Sequence, residues 1–280
     1  MREVKISARN FKESIGDGLE SVIYLYEDVN YYDHQVLYKR FRSYDYIKEY
    51  NTYYSENSRQ NKYEKIQIIP SLNCFKDEVQ IMDIGMEYGK FQGYVMKKCP
   101  LKPIKAEYIL YECEHDENIP RRIYFDCDGK ELTIEQKIRY LKLIKEKIVK
   151  LNNSDVYIGD FNFANFLTNK NIDIVKLCDL DSLKIGSHDF DNKHPSTVAY
   201  EKVCMPKNDT NPNVEGLDSF CFNIFTLALL TNQSNYRILK HIDEVKLPKI
   251  LDKFPNQEIL EDIKHLKKSY KPRYFIDIFN

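Results

Sequence analysis

Between Val156 and Ser182 the chain writes two short apolar runs in succession, each leading into a carboxylate, and this stretch limits what the rest can fold into. The first is Val156-Tyr157-Ile158, which continues as Gly159-Asp160-Phe161-Asn162-Phe163-Ala164-Asn165-Phe166-Leu167. The second is Ile172 to Leu177, which continues as Cys178-Asp179-Leu180-Asp181-Ser182. The polar turn Thr168-Asn169-Lys170-Asn171 separates them, so the unit is expected to be a loop followed by a β-hairpin. Asp160, Asn165 and Asp179 are then expected to converge at one end. The plainer reading is that Asp and Asn stand at strand ends because they favour turns.

The three residues together have a chemistry. One carboxylate can orient an attacking hydroxyl, while a second carboxylate and an amide oxygen can hold Mg²⁺ against phosphates. A chain that does this needs a second element to grip the phosphates. Ser14 to Ser21 contains Gly16 and Gly18, followed by an apolar strand through Tyr26. Glycines let backbone N–H groups approach phosphate oxygens without a side chain in the way. Ser21 stands where a third glycine would complete the pattern. The next strand, Gln35 to Phe41, sets Lys39 inside an alternating apolar run.

Lys39 needs a carboxylate partner. Lys62 to Ile69 reads as a helix ended by Pro70, and Glu64 is the one carboxylate within it. Glu49 and Glu56, in the polar Tyr-rich segment from Ser43 to Asn61, are the other candidates; that segment reads as a loop. Two strands follow, Val79 to Ile84 and Lys90 to Met96. The prolines at 100 and 103 then mark a boundary. From Thr133 a long helix is strongly signalled: Thr133 and Gln136 make a capping box, and Ile134, Ile138, Leu141, Ile144, Ile148 and Leu151 share one face. Asp181 to Lys207 reads as a polar loop. Gly216 opens a helix that is apolar nearly all round through Leu230, with Asp218 near its start. Leu247, Ile250, Leu251, Ile259, Leu260 and Ile263 are core candidates in short terminal helices.

Taken in order, the glycine turn, Lys39, the strand ending at Met96, the Asp-x-x-x-x-Asn spacing, Asp179 and Asp218 resemble the protein kinase superfamily. Gly159-Asp160-Phe161-Asn162 and Asp179-Leu180-Asp181-Ser182 look closest to bacterial kinase-like proteins with Gly-Asp-x-Asn in the catalytic loop. The resemblance implies an α+β, bilobal kinase-like fold over residues 1–280. Residues 1–96 would form a small β-rich lobe and residues 97–280 a larger, mainly helical lobe. It further implies an ATP- and Mg²⁺-dependent phosphotransferase, acting on serine or threonine of a protein substrate. Asp160 would orient the acceptor, Asn165 and Asp179 would bind metal, and Lys39 with Glu64 would position phosphates. Gly16, Gly18, Ile23, Leu37, Met96 and Leu167 would line the nucleotide pocket, and residues 181–207 would dock substrate.

Ile158 stands where most kinases carry His, which weighs against a small-molecule kinase, and Asn162 replaces the catalytic-loop lysine, which bears on the acceptor. Gly159 replaces the arginine that binds a phosphorylated activation loop, so control by such phosphorylation is not expected. A small-molecule kinase of the aminoglycoside or choline type and a nucleotide-binding pseudokinase scaffold are the alternatives. Forty-two basic and 43 acidic residues nearly cancel, so bulk charge argues for neither nucleic acid nor a membrane surface. The start, Met-Arg-Glu-Val-Lys-Ile, has no apolar signal core. Seven cysteines at irregular spacing suit reduced thiols, so a cytoplasmic location is expected.

Overall fold

The computed structural model describes residues 1–50, 57–109, 121–190, 214–233, 238 and 274–279. The fold is α+β, and the chain divides into two compact units. One comprises Met1–Pro100 with Lys176–Asn192, and the other Leu101–Val175 with Lys193–Asn280. The first break therefore falls at Pro100 rather than after residue 96. The segment that carries Asp179 groups with the N-terminal unit.

The first unit is built on a six-stranded sheet of order β1-β5-β6-β4-β3-β2. Its strands are β1 (Glu3–Lys5), β2 (Phe11–Asp17), β3 (Ser21–Tyr26), β4 (Val36–Phe41), β5 (Ile81–Glu87) and β6 (Lys90–Lys97). β1 runs parallel to β5, and the other neighbours are antiparallel. Two helices interrupt it, α1 (Tyr44–Tyr50) and α2 (Ser58–Ile68). The segment expected to be a loop from Ser43 thus holds a short helix, started by the Ser43 hydroxyl accepting from the Tyr46 N–H. α2 begins four residues before its expected start.

Side chains alternate across a sheet, and residues directly opposite one another share a face. Ile23 lies opposite Lys39, Leu37 opposite Met96 and Lys39 opposite Tyr94, so these five occupy one face. The other face carries the apolar core of Val4, Ile6, Tyr26, Tyr32, Val36, Tyr38 and Val95, with Phe11 and Met82 packed against it. Packing fixes the sheet closely at one glycine. A Cβ on Gly93 would lie 1.9 Å from the Lys39 carbonyl oxygen, far inside van der Waals contact.

The second unit contains β7 (Lys102–Pro103), β8 (Lys105–Ile109), β9 (Arg121–Phe125), α3 (Ile134–Asn152), β10 (Val156–Tyr157), β11 (Phe166–Thr168) and α4 (Val214–Thr231). β8 and β9 form an antiparallel pair, as do β7 and β11. The capping box of α3 is made: Thr133 Oγ1 accepts from Gln136 N at 3.2 Å, and Gln136 Oε1 accepts from Thr133 N at 2.9 Å. From Gly216 to Thr231 α4 is buried on every side, as its composition requires. No helix among the described residues is long and apolar enough to cross a membrane. Residues 191–207 of the expected docking loop and the core candidates Leu247 to Ile263 lie outside the described residues.

The close approach at Gly93 gives a direct test. Gly93→Ala should lower stability by about 1–3 kcal/mol, the usual effect of forcing a methyl group into a filled site, because backbone must move. Gly18→Ala should be milder, since its Cβ would meet only the Ser21 carbonyl at 3.5 Å. Urea unfolding midpoints of the two variants measure the contrast; equal losses would show that the sheet yields at Gly93.

Candidate functional site

On the first unit, Lys39 is buried and its ammonium binds two carboxylates. It donates to Asp179 Oδ1 and, at 2.7 Å, to Asp181 Oδ1. Asp181 is completely buried and also accepts from Tyr94 Oη at 2.7 Å and from Lys62 Nζ at 2.9 Å. Lys62 makes a further ion pair with Glu20 Oε2 at 3.0 Å. Glu20 closes the glycine turn ahead of β3, so turn, sheet, helix and the Asp179 segment meet in one charge cluster.

The expected Lys39–Glu64 pair is not formed. The buried residues of α2 include Ser58, Lys62, Lys65 and Ile66, spaced as one helical stripe. Glu64 follows Lys62 by two positions, about 200° around the helix at 3.6 residues per turn, and so points elsewhere. It accepts from Gln60 Nε2 at 2.7 Å and lies 3.5 Å from His188 Nδ1. Glu49 is exposed on α1, and Glu56 lies outside the described residues. Asp181 takes the role assigned to a helix carboxylate.

The Asp179 segment is held from beneath. Glu78, itself buried, accepts from the Leu177 N–H at 2.5 Å, and Leu177 O accepts from Val79 N at 3.3 Å. Asp179 then takes the left-handed conformation, φ 61° and ψ 41°, which Asp tolerates better than most residues. Its carbonyl oxygen accepts from both the Ser182 N–H and the Ser182 hydroxyl. Lys65, fully buried, donates to the Leu183 and Asp189 carbonyls. Two buried lysines of one helix thus bind the 181–189 segment.

Electrostatics separate the two aspartates. Burial opposes charge on Asp181, but Lys39 and Lys62 outweigh it and hold the carboxyl well below the usual range. Asp179 keeps 31% of its side-chain surface open. Its recessed position pushes it up to about 6 against the pull of Lys39, with Asp181 adding repulsion. Burial lowers the Lys39 ammonium, and the two aspartates more than reverse this. Asp181 is the fully buried carboxylate with three donors, and Asp179 is the partly open one that shares Lys39.

Of the other residues expected to line a nucleotide, Ile23 and Leu37 are half-buried on the Lys39 face and Met96 is buried there. Gly16 and Gly18 both have ordinary φ, and an added Cβ would make only normal contacts, so local backbone strain does not require glycine at either position. A separate concavity of about 840 Å³ on this unit carries Arg40, Arg42 and Arg59. Arg40 is held by Glu87, Arg42 by Asp17, and Arg59 by Gln92 and the Arg42 carbonyl.

The second unit brings Asp160 and Asn165 together. Asn165 Nδ2 donates to Asp160 Oδ2 at 3.2 Å and to the Asp160 carbonyl at 3.3 Å. Alternation builds this loop. Phe161, Phe163 and Phe166 are buried against Phe222, Phe225 and Tyr124, with Phe163 stacked on Phe225 at 4.1 Å, while Asp160 and Asn162 keep exposed surface between them. Asn162 Oδ1 accepts from the Ala164 N–H and caps the turn. Gly159 enters the loop at φ 63°.

Asp218 braces it from α4. Its carboxylate accepts from Ile158 N at 3.0 Å and Gly159 N at 2.9 Å. Burial outweighs the pull of those backbone donors and leaves Asp218 raised to about 7. Asn152, with its amide nitrogen turned toward Asp218 Oδ2 at 2.9 Å, adds another donor to the carboxylate. Leu167 is half-buried on β11, opposite Pro103.

Sequence reasoning missed Asp181, Lys62, Tyr94 and Glu20. The signal present was the period of α2, which places Lys62 and Lys65 in line with Ile66 and Ile69. Among the described residues no group of three or more His, Cys, Asp or Glu is arranged to hold a metal ion. No protein-family model matches the chain, and no curated protein matches it.

Removing the charge of Asp181 takes a carboxylate from two buried ammonium groups at once, leaving Lys39 with Asp179 and Lys62 with Glu20. Asp181→Asn should cost about 3–5 kcal/mol, the range for breaking a buried ion pair from one side. Glu64→Gln, at a partly exposed position, should stay within about 0.5 kcal/mol. Chemical denaturation of both variants measures this, and a larger loss for Glu64→Gln would restore the helix carboxylate as the partner of Lys39.

Proposed function

We propose that the chain is an ATP- and Mg²⁺-dependent phosphotransferase of the protein kinase-like type, with its two units as the small and large lobes and a serine or threonine hydroxyl of a protein as acceptor. The observation that carries this reading is Lys39. It is a buried lysine on the strand after the glycine turn, held by the carboxylate that follows the second apolar run. The order glycine turn, lysine strand, Asp-x-x-x-x-Asn loop and Asp179 supports it, as does the bracing of that loop by Asp218.

The residues fit the proposed cofactors. Asp179 is a carboxylate paired with Lys39 that keeps part of its surface open. Asn165 commits its amide nitrogen to Asp160 and keeps its carbonyl oxygen for a cation. Both are oxygen donors of the kind Mg²⁺ takes. Mg²⁺ bound with ATP would neutralise charge on the phosphates. Lys39 positions phosphate oxygens, and Asp181 with Tyr94 keeps that ammonium charged and in place. Ile23, Leu37 and Met96 offer the base an apolar surface. Asp160 orients the acceptor hydroxyl, and Asn165 fixes the Asp160 rotamer.

A nucleotide-binding scaffold without transfer is the second reading. It is favoured by one observation: α2 offers Lys62 where a carboxylate was expected. Aminoglycoside- or choline-type acceptors are a matter of acceptor class and are separated by the same assay.

ATP with Mg²⁺ should stabilise the wild-type protein, by about 2.7 kcal/mol at a hundredfold excess over the dissociation constant. Asp179→Asn should weaken the metal-dependent part of that binding. Asp160→Asn should leave binding nearly intact and reduce turnover about 10²–10⁴-fold, the usual worth of a positioned acid–base group. The measurement is transfer of labelled γ-phosphate to a protein acceptor and to a panel of small alcohols. Transfer to alcohols alone would reassign the acceptor, and tight binding without transfer would favour the scaffold. Equal transfer by wild type and Asp160→Asn would overturn the role of Asp160.

A further inference from the structure

Lys62 is 1% exposed and lies between two carboxylates, Asp181 at 2.9 Å and Glu20 at 3.0 Å. The two are held very differently. Asp181 is fully buried and accepts from Lys39, Lys62 and Tyr94. Among the described residues Glu20 has Lys62 as its side-chain ion-pair partner, and its side chain keeps 18% of its surface open. It sits on the glycine turn, whose backbone is fixed separately: Gly18 N donates to Ser21 O at 2.9 Å, and Arg42 donates from its backbone to Glu20 O at 2.8 Å and from Nε to Gly18 O at 3.0 Å. The Glu20 carboxylate can therefore leave Lys62 while the turn stays formed.

Charge balance says what would take its place. Two ammonium groups face three carboxylates, Asp179, Asp181 and Glu20, so the cluster carries excess negative charge and repels an incoming polyphosphate. An anion that enters must displace one carboxylate. Asp181 is fully buried and shared by both ammonium groups, so its loss would take a carboxylate from each at once, which is costly. Asp179 answers to Lys39 and, on the reading above, to the metal. Glu20 is the replaceable one.

We infer that Lys62 is a second phosphate-binding cation of this site and that Glu20 is its resident counter-ion, exchanged for a phosphate oxygen when a nucleoside di- or triphosphate binds. The inference rests on the proposal that the glycine turn and Lys39 hold a nucleotide. It makes Lys62 a binding residue recruited by ligand, and Glu20 a competitor that sets the affinity. Lys39 stays with Asp181, so one lysine fixes the site while the other answers to the ligand.

The experiment is a double-mutant cycle read by calorimetric titration of ATP, ADP and adenosine, with Mg²⁺, into wild type, Glu20→Gln, Lys62→Gln, the double variant and Lys62→Arg. Glu20→Gln should tighten ATP and ADP about three- to tenfold, the equivalent of an interaction of about 0.6–1.4 kcal/mol. Lys62→Gln should weaken both, Lys62→Arg should recover most of the loss, and the gain from Glu20→Gln should vanish in the double variant. Adenosine should bind all five alike, which a general loss of structure would not allow. Glu20→Gln is a mild change at a half-buried turn and decides the question even where Lys62→Gln does not fold. Unchanged or weaker ATP binding by Glu20→Gln, or a gain that persists without Lys62, would overturn the inference while leaving nucleotide binding in place. Failure of wild type to bind any nucleotide would instead remove the reading on which it rests.

Discussion

The Asp181 carboxylate is the constraint on which the first unit depends. Two ammonium groups and a phenol converge on it from β4, α2 and β6, and none of the three donors has another way to be buried at so low a cost. Desolvating a lysine is expensive, and the expense is offset only when geometry is good and the remaining acceptor capacity is filled. Here it is filled: Oδ1 accepts from Lys39 and Tyr94, and Oδ2 accepts from Lys62. Such a centre is poor evidence for stability as such, because a well-packed apolar trio of similar volume would serve the fold as well or better. What it provides is a lysine held charged and fixed on the inner face of a sheet.

The sheet makes that placement possible by giving its two faces different work. Tyr24, Tyr26 and Tyr38 pack on one side with Phe11, the Phe11–Tyr24 rings stacked at 4.6 Å. The same strands, one residue out of phase, present Ile23, Leu37, Lys39, Tyr94 and Met96 on the other. A slip of one residue between β4 and β6 would exchange the faces and move Lys39 into the aromatic core. Gly93 and Gly85 guard that register. An added Cβ at the first would strike the Lys39 carbonyl, and at the second the Tyr38 ring at 2.3 Å.

Several of these features were legible in the sequence, each for a physical reason. The Asp160–Asn165 loop could be read because Phe161, Phe163 and Phe166 alternate with polar residues, and a loop pinned at alternate positions must turn Asp160 and Asn162 the other way. The capping box of α3 could be read because Thr133 and Gln136 satisfy each other's backbone. Asp218 stands near a helix start, where it could cap that helix or brace the Asp160 loop, and its bonds to Ile158 and Gly159 run across space to the loop. Helix phase in α2 was the failure. Lys62 lines up with Ile66 and Ile69, but Glu64 lines up with Ile68, so the apolar residues of Lys62 to Ile69 mark both sides of the helix, and the usual rule that lysine faces water pointed the wrong way. The rule fails when a buried carboxylate waits for the lysine, and Asp181 lies 119 positions away in the chain.

The same long-range dependence explains why the 176–192 segment belongs with the N-terminal sheet rather than with its neighbours in sequence. Leu177 is tied by backbone and by Glu78 to the entry of β5, Asp179 and Asp181 are tied to β4 and α2, and Leu183 and Asp189 are tied to Lys65. Apart from the Val79–Leu177 bond and Asn61 Nδ2 donating to the Asp189 carbonyl, these polar ties involve a charged side chain, and the segment also buries Leu177, Leu180, Leu183 and Ile185. Charged ties are directional, and they respond to other ions in a way that packed methyl groups do not. An ion that competes for Lys39, Lys62 or Asp179 therefore acts on the position of this segment as well as on the site. The residues that could bind a ligand here are the ones that hold the segment in place, so binding and local order in the first unit draw on one set of interactions.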